Sequence, residues 1–213
     1  MLEVLLYGAL LFYNKNKSLH TMKKLVFATN NPHKIKEVQA MLPQDIQLVS
    51  LEAIGCQEEI PETADTIEDN AILKAKYIKD NYGYDVFADD TGLEIEALNN
   101  EPGVRSARYA GEHKNSLENM QLVLQKMKKQ TNRKARFKTI FALYIGKKLH
   151  LFEGIVQGFI SQNPKGENGF GYDPIFIPNG YEQTFAEISC QEKNTISHRA
   201  KATQQLVTFL KQF

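Results

Sequence analysis

The sequence predicts an α/β fold built on a mixed sheet, and three observations carry that prediction. From Met22 onward, apolar residues recur with a period that switches between two and about 3.6, so strands and helices succeed one another. The 213 residues, 42% hydrophobic and 24% charged, suffice for one large domain or two closely packed lobes with a sizeable core, and disorder is not expected. Late in the chain, apolar segments at 137–145 and 149–160 flank Gly146-Lys147-Lys148. That turn chemistry makes them a hairpin, so the sheet has antiparallel parts as well as parallel ones.

Residues 1–21 differ from all that follows. Residues 4–13 are nearly unbroken apolar and 14–18 are polar and basic. An acidic Glu3, no preceding Lys or Arg, no small-x-small cleavage site and too short an apolar run argue against export and against a membrane span. Met22 stands directly before a credible opening strand. The expectation is therefore an N-terminal extension over 1–21, from a start assigned too far upstream, and one folded domain over 22–213.

Within that domain, residues 25–28 form a short apolar strand that Thr29-Asn30-Asn31-Pro32 breaks. Ile35, Val38, Met41 and Leu42 then mark one face of a helix. Thr66-x-x-Asp69 reads as a capping box for a helix over 69–82 with Ala71, Ile72, Ala75 and Ile78 on its buried face. Residues 85–88 form the next strand, Asp89-Asp90-Thr91-Gly92 a bend, and 93–97 a half-exposed strand. A helix over 116–129 buries Leu117, Met120, Leu124 and Met127, and a terminal helix over 197–213 buries Leu206, Phe209 and Leu210. Repeats and long linkers are absent from the sequence.

A formal net charge of +1 supplies no global field toward nucleic acid or an acidic membrane, so neither a nucleic-acid polymer nor a membrane is an expected partner. Cys56 and Cys190 lie far apart without a C-x-x-C pair, which argues against a disulfide framework or structural zinc and fits a reducing cytoplasm.

Polar residues collect at strand ends, where open α/β sheets place ligands. Thr29-Asn30-Asn31-Pro32-His33-Lys34 puts a hydroxyl, amides and an ammonium at a helix N-terminus, either an anion site or an ordinary strand-to-helix turn. Asp89 and Asp90 follow an apolar strand. They suit a Mg²⁺ ion and a proton acceptor, or else a turn with solvated acids. Lys193, His198 and Arg199 crowd the start of the terminal helix, where positive charge opposes the macrodipole and suggests a compensating anion; His198 could equally be a core histidine. Finally, Asn168-Gly169-Phe170-Gly171-Tyr172-Asp173-Pro174 offers two flat rings, two conformationally free glycines and a carboxylate able to accept from a ring N–H. The loop either clasps a planar heterocycle or plugs the core with its rings.

Taken in order, Ala28-Thr29-Asn30-Asn31-Pro32-His33-Lys34, Pro61-Glu62-Thr63, Asn70-Ala71-Ile72-Leu73-Lys74-Ala75, Ala88-Asp89-Asp90-Thr91-Gly92-Leu93, Pro102-Gly103-Val104-Arg105-Ser106-Ala107-Arg108-Tyr109, the Gly169 to Phe176 loop and Ser197-His198-Arg199 resemble the inosine triphosphate pyrophosphatase family. The resemblance covers nearly all of residues 22–213 and none of 1–21. It implies an elongated mixed central sheet flanked by helices, two lobes with an active-site cleft between them, and a homodimer. It also implies Mg²⁺-dependent hydrolysis of noncanonical purine nucleoside triphosphates (ITP, dITP, XTP) to the monophosphate and pyrophosphate.

Carried over by position, the resemblance implies that Thr29, Asn30, Asn31, Pro32, His33, Lys34 and Lys193 hold phosphates and that Asp90 is general base and metal ligand. Thr91 then contacts substrate, and Phe170, Gly171, Tyr172 and Asp173 with His198 and Arg199 recognise the base. A 6-keto purine offers an O6 acceptor and an N1–H donor, so a cationic donor near O6 favours hypoxanthine or xanthine over adenine. Asn30 stands where many relatives carry glycine, and Asp69 where many carry glutamate. The second metal acid is Glu62, Asp69 or Glu59, with Glu62 preferred because Pro61-Glu62-Thr63 matches best; Asp89 is a further candidate. Two other functions fit the same loops: a pyrophosphatase for other modified-base nucleotides, and a nucleotide sensor that does not hydrolyse.

Overall fold

In the computed structural model, which describes residues 23–212, the strands form a six-stranded sheet. They are β1 (Lys23–Phe27), β2 (Ile46–Val49), β3 (Val86–Ile95), β4 (Lys134–Ile145), β5 (Lys148–Ile160) and β6 (Phe176–Pro178), in the spatial order β2-β1-β3-β4-β5-β6. β1 runs parallel to β2 and β3, while the β3-β4, β4-β5 and β5-β6 pairs are antiparallel, so the expected mixed sheet is present. The helices are α1 (Pro32–Gln39), α2 (Ile67–Tyr82), α3 (Ser116–Met127), α4 (Cys190–Ile196) and α5 (His198–Leu210). The expectations for residues 1–21 lie outside the described residues. Among those described, no helix is long and apolar enough to cross a membrane, and Cys56 and Cys190 are free thiols.

Helix starts follow the capping chemistry of the sequence. Asn31 caps α1 by accepting from the His33 and Lys34 amides, with Pro32 in the first turn. Thr66 caps α2 by accepting from the Asp69 amide, and its hydroxyl donates to the Asp69 carboxylate at 2.7 Å. Asn115 and Ser197 cap α3 and α5.

Four expectations change. The strands expected at 85–88 and 93–97 are one ten-residue strand, because β4 pairs with all of it from Val86 to Ile95 and leaves no backbone group for a bend at Asp89 to Gly92. Leu117 is 57% exposed; the buried side of α3 carries Asn119, Met120, Val123 and Met127. The terminal helix is preceded by a separate helix, α4, with extended Ser197 (ψ 161°) serving both as C-cap and N-cap. Short strands β2 and β6 were not foreseen, since four and three residues carry little periodicity.

The long strands pass through three apolar clusters. Val86 and Ala88 pack with α2 residues Ala71, Ala75 and Ile78, and on the other face Phe87 stacks on Phe27 at 4.2 Å and joins Leu206 of α5. Further along β3, Leu93 and Ile95 enter the third cluster with Val123, Met127, Phe137, Phe176 and Phe185. Between the first two clusters and the third lies the polar run Asp89-Asp90-Thr91. The chain thus places its charged strand residues where the apolar packing is interrupted.

Candidate active site

A cavity of about 420 Å³ opens over that interruption, within the range of small-molecule sites. Its wall includes Thr29, Asn30, Asn31, Lys34, Glu62, Asp90, Thr91, Phe170, Gly171, Tyr172, Asp173, Lys193, His198 and Arg199. Most of the residues expected from sequence therefore meet in one place, although they span 171 positions from Thr29 to Arg199. Pro32 and His33 do not line it: Pro32 starts α1, and the His33 ring stacks on Phe170.

Asp89 and Asp90 project to opposite sides of β3, as strand neighbours must. Asp89 is fully buried and meets Lys34 at 2.8 Å, with Arg199 Nη2 at 3.6 Å and the Thr91 hydroxyl at 3.1 Å. Burial opposes its charge, but Lys34 and Arg199 win and hold its carboxyl down at about 2. Asp90 faces the cavity, where burial raises its pKa despite Lys74 and Lys34. Its Oδ1 is 3.5 Å from Lys74 Nζ, and its Oδ2 is buried without a partner among the described residues. The two adjacent carboxylates are thus shifted in opposite directions, Asp89 favoured as an anion and Asp90 disfavoured as one.

The acids considered beside Asp90 separate clearly. Asp69 is spent on the α2 cap and does not line the cavity. Glu59 lines it but is exposed and paired with Lys114. Glu62 shares Lys74 with Asp90, its Oε1 lying 2.7 Å from Nζ, and Arg108 donates to the Glu62 carbonyl at 3.2 Å. Burial opposes ionisation of Glu62, yet Lys74 lowers its pKa; burial opposes the charge of Lys74, yet Asp90 and Glu62 raise its own. Among the described residues no cluster of three or more His, Cys, Asp or Glu side chains is arranged around one metal position. Two hard oxygen donors with one orphaned oxygen, Asp90 Oδ2, fit an ion that takes its remaining ligands from phosphate and water, as Mg²⁺ does.

The cavity wall also holds rings and cations. Gly169 at φ 76° turns the loop tightly enough that the Asp173 Oδ2 atom would lie 2.1 Å from a Cβ there. That oxygen accepts from the Phe170 amide and Lys193 Nζ, both at 2.7 Å, so Asp173 fixes the loop and Lys193 with the face assigned to ring recognition. Burial pushes the Asp173 pKa up against the pull of Lys193. Lys193 Nζ sits 5.0 Å from the Phe170 ring centroid. Tyr172 is buried, its hydroxyl donating to the Ser106 carbonyl at 2.8 Å.

His198 stacks on Phe137 at 4.6 Å, and burial beside Arg199 drives its pKa well below the usual imidazole value, so the ring is neutral. Arg199 is 1% exposed; it donates to Glu37 at 2.6 Å and to the Thr91 hydroxyl at 3.2 Å. In the chain Glu192 is the only acid beside these two cations. The fold adds Glu37 from α1, which binds both, its other oxygen 2.8 Å from Lys193 Nζ. Burial disfavours the Glu37 charge, and Arg199 with Lys193 lowers its pKa nonetheless.

Sequence reasoning missed the roles of Glu37, Lys74, Arg108 and Thr139, whose hydroxyl contacts Thr91 at 2.7 Å and the Asp90 carbonyl at 3.0 Å. Only Lys74 left a signal: it falls within the buried stripe of α2, between Ala71 and Ile78. Four buried side-chain polar atoms lack a partner among the described residues, and three of them, Asp90 Oδ2, His198 Nδ1 and Arg199 Nε, belong to the cavity wall. Orphaned atoms so placed mark where a polar ligand docks.

Comparison with known proteins agrees with this geometry. A dITP/XTP pyrophosphatase from Flavobacterium psychrophilum is 59% identical over 188 residues, covering 88% of this chain and 99% of its own. One from Bacillus subtilis is 46% identical over 193 residues, covering 89% and 98%. The solved Ham1 protein of Staphylococcus aureus superposes with a TM-score of 0.82 at 39% identity, covering 89% of this chain and 99% of that one. A HAM1 protein from Coxiella burnetii gives 0.83 at 38%, covering 90% and 100%. The Ham1 family model itself matches residues 25–209, and the chain belongs to that family.

Proposed function

We propose that the protein hydrolyses noncanonical purine nucleoside triphosphates, ITP, dITP and XTP, to the nucleoside monophosphate and pyrophosphate. The observation that carries this reading is the set of groups that share one cavity wall. Asp90, with an oxygen that lacks a partner among the described residues, stands there with Lys34 from the first turn of α1 and with the rings and cations of Phe170, Tyr172, Lys193, His198 and Arg199. The similar bacterial enzymes are dITP/XTP pyrophosphatases, which supports dITP and XTP as substrates.

Asp90 takes a proton from a water directed at the α-phosphorus, its raised pKa bringing it nearer the working range of a general base. Asn30 and Asn31 line the phosphate path ahead of α1, and Lys34 and Lys74 meet the charge gathering on the departing pyrophosphate. Arg199 and His198, which line the cavity, recognise the base edge, and the Phe170 ring covers its plane. Cationic donation toward O6 favours a 6-keto purine; adenine presents an amino group there and leaves a buried donor unpaired.

Mg²⁺ is the cofactor of this proposal, held by Asp90 and Glu62 together with phosphate oxygens; when bound it neutralises phosphate charge and polarises the reacting centre. The enzyme is read as a cytoplasmic homodimer acting on the nucleotide pool. The test is pyrophosphate release across ITP, dITP, XTP, ATP and GTP, with Mg²⁺ and with EDTA. The reading expects Mg²⁺-dependent turnover of the first three at a kcat/KM at least about a hundredfold above ATP; equal turnover of ATP would reject it.

A further inference from the structure

His33 belongs by sequence to the phosphate turn, yet its side chain does something else. The imidazole lies on the Phe170 ring with centroids 5.1 Å apart and planes inclined by 17°, a parallel stack between segments 137 positions apart. Phe170 lines the cavity and His33 does not. The same Phe170 centroid lies 5.0 Å from Lys193 Nζ and 5.6 Å from the Arg199 guanidinium carbon, both of which line the cavity. Meanwhile the His33 backbone amide donates to Asn31 Oδ1 at 3.0 Å, which is the α1 cap. One residue therefore joins the phosphate turn through its backbone and the base loop through its ring.

We propose that His33 is a positioning residue: its imidazole backs the Phe170 ring from outside the cavity and holds it for stacking against the purine, coupling base recognition to the first turn of α1. This rests on the reading of the site as a nucleoside triphosphate pyrophosphatase. The loop around Phe170 is pinned from within by Asp173, but that contact fixes the Phe170 backbone amide and not the plane of its ring. The ring plane is set by what it packs against, and His33 supplies a flat face for it. Because the His33 side chain is exposed and the cap uses only its backbone, truncation leaves helix and fold in place.

The test compares wild type, His33→Ala and His33→Phe with dITP as substrate and inorganic tripolyphosphate as a competitor that carries no base. His33→Ala should raise KM for dITP about tenfold, the scale of one aromatic stacking contact, with kcat held within about twofold. The tripolyphosphate inhibition constant should not move, and His33→Phe, which keeps a flat ring, should restore KM. An unchanged KM in His33→Ala would overturn the proposal. So would a parallel weakening of tripolyphosphate, which would make His33 a phosphate ligand, or a His33→Phe variant as impaired as His33→Ala. Wild type that releases no pyrophosphate from dITP would overturn the underlying reading itself.

Discussion

Asp89 and Asp90 are neighbours in the chain and opposites in the fold, and their difference follows from strand geometry. Asp89 turns into a cluster with Lys34 and Arg199, whereas Asp90 turns into the cavity with one oxygen unmatched. Asp90→Asn, which keeps the volume, should lower kcat by at least about a hundredfold, the low end of general-base contributions. It should not lower thermal stability. The folded pKa of Asp90 is raised, so its stabilising contribution is present below the unfolded value and is lost as pH rises through the folded one; the ionised group is a burden at neutral pH. A loss of kcat accompanied by a clear fall in Tm would refute that account.

Asp89 has the reverse sign. Its pKa falls from the ordinary 3.8 to about 2, so its contribution is present above the unfolded value and vanishes as pH falls through about 2. Asp89→Asn should therefore cost roughly 2 kcal/mol in urea denaturation at pH 7, and the gap to wild type should close in strong acid. A gap independent of pH would show that packing, not charge, is what Asp89 provides. At this scale the sequence exposed most of the residues that line the cavity but not their partners. Glu37 looks like a solvated helix acid until α1 and α5 are brought together, because nothing local links it to Arg199, which lies 162 positions away.

Among the elements, the packing of α5 on β5 decides where His198 and Arg199 stand. A Cβ on Gly154 would lie 1.9 Å from the His198 carbonyl oxygen and 2.8 Å from the Ala202 amide, so the bare backbone of β5 lets α5 approach with His198 and Arg199 at its first turn. Gly154→Ala should push that turn away. The expected result is a stability loss of about 1–3 kcal/mol, typical of overpacking, and a raised KM for dITP. Unchanged kinetics would show that α5 tolerates the displacement. The start of α2 was readable because Thr66 declares itself as a cap, whereas Ser197, read as the first residue of the terminal helix, is its cap. Gly154 was not: a glycine in a strand says that something comes close without saying what. The unbroken course of β3 was also hidden, since acids and a glycine in succession read as a turn until β4 supplies hydrogen bonds along the whole segment.

In the whole molecule, long strands thread three apolar clusters and carry polar residues across the gap between them. That arrangement explains how segments spread from Thr29 to Arg199 converge on one cavity. The α/β class and the mixed sheet followed from periodicity and the hairpin turn; the grouping of loops around the gap required the topology. The topology also brings Lys193 to Asp173 and Glu37, which hold it. The central claim is that a water activated by Asp90 attacks the α-phosphorus of a purine nucleoside triphosphate. Its most direct measurement is hydrolysis of dITP in ¹⁸O-labelled water with Mg²⁺, the products being followed by ³¹P NMR. The account predicts one labelled oxygen in the deoxyinosine monophosphate and unlabelled pyrophosphate; label in the pyrophosphate, or release of orthophosphate and the diphosphate, would contradict it.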